Sequence, residues 1–230
     1  MSGGALAPVA VLRTPFGGKF GVPRQAGLVP VAEGRVEFLP AYAAPEFTRG
    51  LEAFSHLWLV TGFHLNPPWS GSAVVRPPRL GGNARVGVFA SRSPNRPNGL
   101  GLSLVRLLGQ EPGALRVGGV DAADGTPVYD VKPYLPWAEA GADARADWAE
   151  EAPPRREAAE IDLPAELAER LGGERTALVR ELLRLEVRPA YQAAEERTYG
   201  MTVVAGWNVR WRATAAGGLA VFAAEPVRTN

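Results

Sequence analysis

Apolar and polar residues alternate with a period of two in short runs from Val9 to Tyr134, the pattern of half-buried strands. Val9–Arg13 opens the series and stops at Thr14-Pro15. Gly34–Leu39, with Val36 and Phe38 on one face, stops at Pro40, and Glu46–Ala53 has the make-up of a short helix. His56–Phe63 is β-branched and aromatic almost throughout, as strands favour, and runs into His64-Leu65 and then Asn66-Pro67-Pro68. The apolar run Val86–Ala90 reads as a strand with irregular backbone on both sides. Leu102–Leu108 and Ala114–Val120 read as strands joined by a Gly109–Gly113 hairpin loop. A turn over Asp121–Thr126 and a short strand over Val128–Val131 follow. Many short strands at a spacing of about 8–15 residues, with few long helical periods, predict an all-β barrel or sandwich over Val9–Tyr134.

Past Trp137 the period changes. Residues 138–160 are rich in Ala, Glu, Asp and Pro and read as an acidic linker, with Trp137 and Trp148 as its large anchors. Leu163–Leu185 has helical spacing, with Leu167, Leu171, Leu178, Leu182 and Leu185 on one side and a candidate break at Gly172-Gly173. Thr198–Arg212 and Gly218–Ala223 alternate as a terminal hairpin. The expected plan is a β domain over residues 1–137, a linker over 138–160 and a small α+β unit over 161–230.

Charge sharpens this picture. The net charge of +1 conceals a polarised chain. From Ala53 to Gln110 there is no Asp or Glu, yet six arginines and both histidines, His56 and His64, lie there. Five of those arginines (Arg76, Arg79, Arg85, Arg92, Arg96) fall within Arg76–Leu102, a glycine- and proline-rich stretch. Such a centre attracts phosphate, carboxylate or nucleic-acid backbone. Lysine occurs twice, at Lys19 and Lys132, against 23 arginines.

With no cysteine, disulfides, thiolate metal ligands and a cysteine nucleophile are excluded. The N-terminus lacks a charged start followed by an apolar run, and no apolar run nears 18 residues, so a cytoplasmic protein is expected. Gly99-Leu100-Gly101 lacks the third glycine of a dinucleotide fingerprint, and Gly81-Gly82-Asn83 lacks the Lys-Ser/Thr of a phosphate-binding loop. His56 and His64, eight apart on one predicted strand, would stand about 26 Å apart, so no metal site is expected. His56 reads as a half-buried structural histidine.

Three loops collect the unusual polar residues: Pro23–Gln25, Ser91–Asn98 and Asp121–Lys132. Polar residues massed in loops on a rigid β scaffold are where binding sites usually lie. Asp121, Asp124 and Asp130 are suited to general-base or ribose-hydroxyl roles, although Asp124-Gly125 on its own also reads as a plain turn. Pro94 and Pro97 stiffen the loop that presents Arg92, Arg96 and Asn98, which leaves little ordering entropy to lose on binding an anion or a base edge.

These residues resemble the TrmO (TsaA-like) family of tRNA methyltransferases. The resemblance spans VAVLRTPF and KFGVPRQAGLV, RGLEAFSHLWLVTGFH, VRPPRLGGNARVGVFASRSPNRPNGLGLSLV, DGTPVYDVKPYLP, RPAY and WNVRWR. It implies a mainly β protein, with a single-sheeted antiparallel barrel followed by a small α+β C-terminal domain. It also implies S-adenosylmethionine as methyl donor, a homodimer, and methylation at N6 of threonylcarbamoyladenosine (t6A) at position 37 in the tRNA anticodon loop. The implied donor pocket falls on Pro23, Arg24, Gln25, His64, Leu65, Arg92, Leu102 and Val120, Asp121, Ala122 and Ala123. Asp121, Asp124, Arg96 and Asn98 are the expected catalytic set, with His64 a further proton acceptor. Arg76, Arg79, Arg85 and Arg96, with Lys132 and Tyr134, are expected to hold the RNA. Two departures stand out: a family proline is Gly99 here, and the glutamine that often follows the strand-end histidine is Leu65. The rival readings are a non-catalytic tRNA-binding barrel module and an anion sensor.

Overall fold

The computed structural model describes residues 6–80, 84–141, 143–185 and 198–227, with positions 198 and 200–203 in backbone only. The Gly81-Gly82-Asn83 and RPAY segments lie outside the described residues. The first unit is a closed six-stranded antiparallel barrel. Its strands are β1 (Ala10–Arg13), β2 (Glu33–Phe38), β3 (His56–Gly62), β6 (Leu100–Glu111), β7 (Ala114–Gly118) and β8 (Thr126–Pro133), in ring order β1-β2-β7-β6-β3-β8. Between β3 and β6, β4 (Val74–Val75) and β5 (Val86–Gly87) form a separate two-stranded ribbon. The alternation seen in the sequence is the pleat of these strands. Leu12, Val36, Leu57, Leu59, Val105, Leu115, Val117 and Val128 point inward and are fully buried. Truncating one of these leucines to alanine costs about 2–5 kcal/mol.

Several expected boundaries move. Strand β6 runs through Gly109 to Glu111, because a register shift near Leu108 absorbs the extra residue and leaves Pro112-Gly113 as the turn. Val86–Ala90 is not one strand: after Val86–Gly87 the chain turns into a 3-10 segment, Val88–Ala90. Glu46–Ala53 holds two 3-10 turns, Pro45–Phe47 and Leu51–Ala53, rather than a continuous helix. Strand β8 already starts at Thr126, so the expected Asp121–Lys132 loop shrinks to its first few residues.

A short helix α1 (Pro136–Glu139) follows the barrel, and Trp137 on it is 85% exposed, so it anchors nothing here. The C-terminal unit comprises β9 (Ile161–Asp162), α2 (Ala165–Leu171), α3 (Gly173–Arg184), β10 (Thr198–Val204), β11 (Trp207–Ala213) and β12 (Leu219–Pro226). Gly172, at φ +80°, breaks the two helices as the Gly172-Gly173 pair implied. The expected terminal hairpin is instead three strands joined by β9, in order β10-β11-β12-β9. Leu167, Leu171, Leu178, Leu182 and Leu185 are buried against this sheet, and the apolar interior of both units is continuous.

Candidate functional site: one end of the barrel

The connections β1–β2, β3–β6 and β7–β8 all leave the same end of the barrel. Registers fix this: Leu12 of β1 faces Thr126 of β8, Glu33 of β2 faces Gly118 of β7, and Gly62 of β3 faces Leu100 of β6. The Pro23–Gln25, Ser91–Asn98 and Asp121–Gly125 segments are therefore neighbours, although about a hundred residues separate the first from the last.

Asp121 is their meeting point. Its Oδ1 accepts a 2.5 Å hydrogen bond from Ser103 Oγ on β6. Burial pushes its carboxyl above the ordinary aspartate range, partly offset by that bond, by the Ala26 N–H and by the Arg92 charge. Arg92 donates to the Leu102 carbonyl at 3.0 Å, which ties its loop to β6 beside Ser103. The Gly27 N–H donates to Gly119 O at 2.8 Å. Gly119 has φ +78°, and a Cβ there would stand 3.1 Å from the Gly27 Cα, so a side chain would push the two loops apart. Leu65 and Leu102 expose apolar surface at this end.

His64 joins the same cluster from the β3 side. Its Nδ1 lies 3.4 Å from Thr126 Oγ1, whose hydroxyl donates to Ala123 O at 2.7 Å. His64 also lines an open cavity of about 850 Å³ with Asn66, Trp69, Arg76, Arg96, Asn98 and Tyr129. Among the described residues that line it, none is acidic. Arg96 NH1 donates to Ser91 O at 3.3 Å, and Asn98 sits at φ 64° in the turn beside it.

Other expected residues fall elsewhere or are otherwise engaged. The Asp124 carboxylate turns to the end of β1, where it accepts the Thr14 N–H at 3.0 Å and lies 3.8 Å from Arg13. That is the plain-turn role. Arg79 donates to the Glu151 carbonyl of the linker, whereas Arg85 lies beside Arg76. Lys132 and Tyr134 stand at the opposite end of the barrel, since six residues of strand separate Lys132 from Thr126, about 20 Å. There Lys132 pairs with Asp130 at 2.9 Å, and Tyr134 packs edge-on against His56 and Trp58. His56 is half-buried and bonded to Ser55, as its position in the strand suggested. Sequence reasoning passed over Ser103 and Trp69. Ser103 could have been found as the one polar residue at an inward position of its strand, and Trp69 as an aromatic in a proline-flanked loop. Among the described residues, no group of three or more His, Cys, Asp or Glu is placed to hold a metal ion, and no helix is long and apolar enough to cross a membrane.

Residues 11–140 match the family described as the tRNA-methyltransferase O N-terminal domain, and residues 156–226 match the TrmO C-terminal domain. The chain is 44% identical over 236 residues to the tRNA (adenine(37)-N6)-methyltransferase of Escherichia coli K12, covering 98% of this chain and 100% of that protein. It is 45% identical over 215 residues to a Pseudomonas aeruginosa protein named "Putative S-adenosylmethionine-dependent methyltransferase RcsF", covering 90% of this chain and 91% of that one. The crystal structure of TrmO from Pseudomonas aeruginosa superposes with a TM-score of 0.78 at 34% identity, covering 96% of this chain and 98% of that chain. With both halves matched in order on one fold, this chain belongs to the tRNA-methyltransferase O family.

Proposed function

We propose that this protein transfers a methyl group from S-adenosylmethionine to N6 of adenosine 37 in tRNA, and that the nucleoside it takes is t6A, giving m6t6A. The observation that carries this reading is the convergence of three loops on Asp121, next to an acid-free cavity that His64 shares.

The chemistry of the loop cluster suits the donor. Arg92 spends one N–H group on Leu102 O, and a guanidinium with donors to spare matches an amino-acid carboxylate. Asp121 provides a fixed carboxylate for hydroxyl or ammonium groups, and Leu65 and Leu102 offer apolar surface to a purine face. Pro23–Gln25 and the Val120–Ala123 backbone close the same end. When bound, the donor would supply an electrophilic methyl carbon on a sulfonium, to which N6 bonds in line as the S–C bond breaks and S-adenosylhomocysteine leaves as a neutral thioether.

The chain's own part is positioning and proton removal. Holding two reactants in line supplies on the order of 7–11 kcal/mol where geometry is good. A cavity of about 850 Å³ has the size of a small-molecule site, and position 37 is unpaired, so its base is turned in without melting a duplex. Arg76 and Arg96 in its wall suit the threonyl carboxylate of t6A. With Asp124 turned away and Asp121 given to the donor's hydroxyl or ammonium groups, His64, where the loop cluster and the cavity meet, is the acceptor of the N6 proton. We place the enzyme in the cytoplasm with its tRNA and read it as a homodimer. Phe20 and Phe89, 76% and 80% exposed beside the donor loops, support a partner subunit there.

The test is mass spectrometry of nucleosides after incubation with isotopically labelled S-adenosylmethionine. Label is expected in m6t6A from t6A-containing tRNA, with an unmodified transcript left unlabelled. Equal labelling of the transcript defeats the t6A assignment. Saturable tRNA retention with no label on either RNA favours the binding-module reading.

A further inference from the structure

Both loops that close on Asp121 are also held from outside the barrel. Downstream of Ala26 and Gly27, the Leu28 carbonyl accepts a 2.9 Å bond from Arg155 NH1. The other terminal nitrogen of Arg155 pairs with Glu181 on α3, and Arg184 NH1 joins the same carboxylate at 3.0 Å. The β7–β8 loop is held through a longer chain. Thr14 Oγ1 donates to Ala122 O at 2.9 Å, and the Asp124 N–H donates to Phe16 O at 2.7 Å. Phe16 is fully buried and bridges to Val204, while the Ala205 N–H donates to Pro15 O at 2.7 Å. Arg175, also on α3, donates to Ala205 O at 3.3 Å. The β1–β2 connection is thus gripped at two backbone carbonyls, Leu28 O by Arg155 of the linker and Pro15 O by Ala205 of the C-terminal unit. Helix α3 anchors both grips through Glu181 and Arg175, while the β7–β8 loop is held only indirectly, through Thr14 and Phe16.

We propose that the C-terminal unit positions the donor site through Arg155 of the linker, which Glu181 of α3 holds and which acts through Leu28 on the Pro23–Gln25 loop. This rests on the reading that these loops hold S-adenosylmethionine. Arg155 touches no part of the loop cluster itself. It fixes where the β1–β2 connection re-enters the barrel, and so where Ala26 and Gly27 meet Asp121 and Gly119. Without that grip the loop samples more conformations, and donor binding must first order them.

The experiment compares full-length wild type with R155A, R155K and E181Q, and with R210A as a control that breaks an exposed pair to Glu225 in the same unit. Donor affinity is read by calorimetry with S-adenosylhomocysteine, tRNA affinity by filter binding, and loop order by amide hydrogen exchange over residues 21–28 of ligand-free protein. In R155A the donor Kd should rise about fivefold to tenfold with tRNA retention unchanged, as expected when ordering cost is shifted onto ligand binding. Exchange over residues 21–28 should quicken. R155K, whose compact ammonium lacks the planar fork that reaches Leu28 and Glu181 from separate nitrogens, and E181Q should fall between R155A and wild type. R210A should match wild type. A donor Kd in R155A within twofold of wild type overturns the proposal, and so does a parallel fall in donor and tRNA affinity. Should R155A fail to fold, E181Q carries the same comparison. Wild type that binds no donor defeats the functional reading instead, while the exchange data still decide whether Arg155 orders the loop.

Discussion

Two groups of arginines in this molecule are treated in opposite ways. Three of the four arginines on the barrel strands are neutralised, Arg13 by Glu37, Arg35 by Glu37 and Glu111, and Arg116 by Glu33, while Arg106 donates to the Pro30 carbonyl. Three of the five in the Arg76–Arg96 arm are held by carbonyls instead, Arg79 by Glu151, Arg92 by Leu102 and Arg96 by Ser91. Among the described residues none of the five lies within ion-pair distance of an acid. A carbonyl fixes the direction of a guanidinium and leaves its charge uncancelled, whereas a carboxylate fixes the direction and cancels the charge as well. Exposed ion pairs contribute only about 0–1 kcal/mol each, so the strand pairs matter mainly for removing unspent charge. The difference separates a surface that is finished from one waiting for an anion.

The largest expected effect that bears on this contrast is R96A. Losing a fixed guanidinium opposite a carboxylate should lower kcat/KM by about 30–100-fold, as the removal of a charge-assisted hydrogen bond implies, with the melting temperature unchanged. An unchanged kcat/KM removes Arg96 from the site. G99P asks whether presentation matters as much as charge. Gly99 has φ +58° and its N–H donates to Arg96 O at 3.2 Å, and proline permits neither. A drop of about tenfold in kcat/KM at intact tRNA affinity is expected, in line with about 1–3 kcal/mol of strain in the turn. R85A should flatten the plot of log affinity for tRNA against log salt by about 0.7–0.9 for each phosphate it no longer neutralises, while R116A should leave the slope unaltered. Equal slopes in the two variants would erase the distinction.

The smallest effect concerns Asp121, the acid nearest the arm. Its carboxyl is raised by burial, so the folded chain holds that proton to higher pH than the unfolded chain does. Wild type is then at its most stable, relative to D121N, below the unfolded aspartate value of about 4, and loses that advantage as pH rises through the raised value. Thermal melts of both proteins from neutral pH to about 4 should show the gap moving in wild type's favour towards acid. A gap that is flat or moves the other way contradicts the burial argument.

What the sequence disclosed depended on whether the physics was local. Strands β3, β7 and β8 were legible because one face is buried and the other is not, which writes a period of two into the residues. The helices α2 and α3 were legible from their leucines, and their break from a glycine pair. Strand β9 was invisible, since two residues carry no period, and β12 was underestimated because its register shift against Arg210 and Trp211 disturbs the alternation. Within the candidate site, the loops rich in proline, arginine and aspartate lie at one end of the barrel, but which aspartate faces the cluster depends on Ser103 and Thr14, residues distant in sequence. Lys132 was misplaced for the same reason. Its neighbourhood is set by which end of β8 it occupies, and that follows from ring order rather than from composition.

The ring itself closes on a short seam, for β1 meets β8 over Ala10, Leu12 and one residue between. Thr14–Phe16 continues directly from that seam, so whatever unzips it also releases the chain segment on which the far unit leans. Opening of the first few backbone pairs should therefore be felt as one cooperative event across both described units rather than as the fraying of one strand. A ligand seated above the seam would act as a clasp on the entire molecule, and saturating it should raise the temperature at which both units melt together.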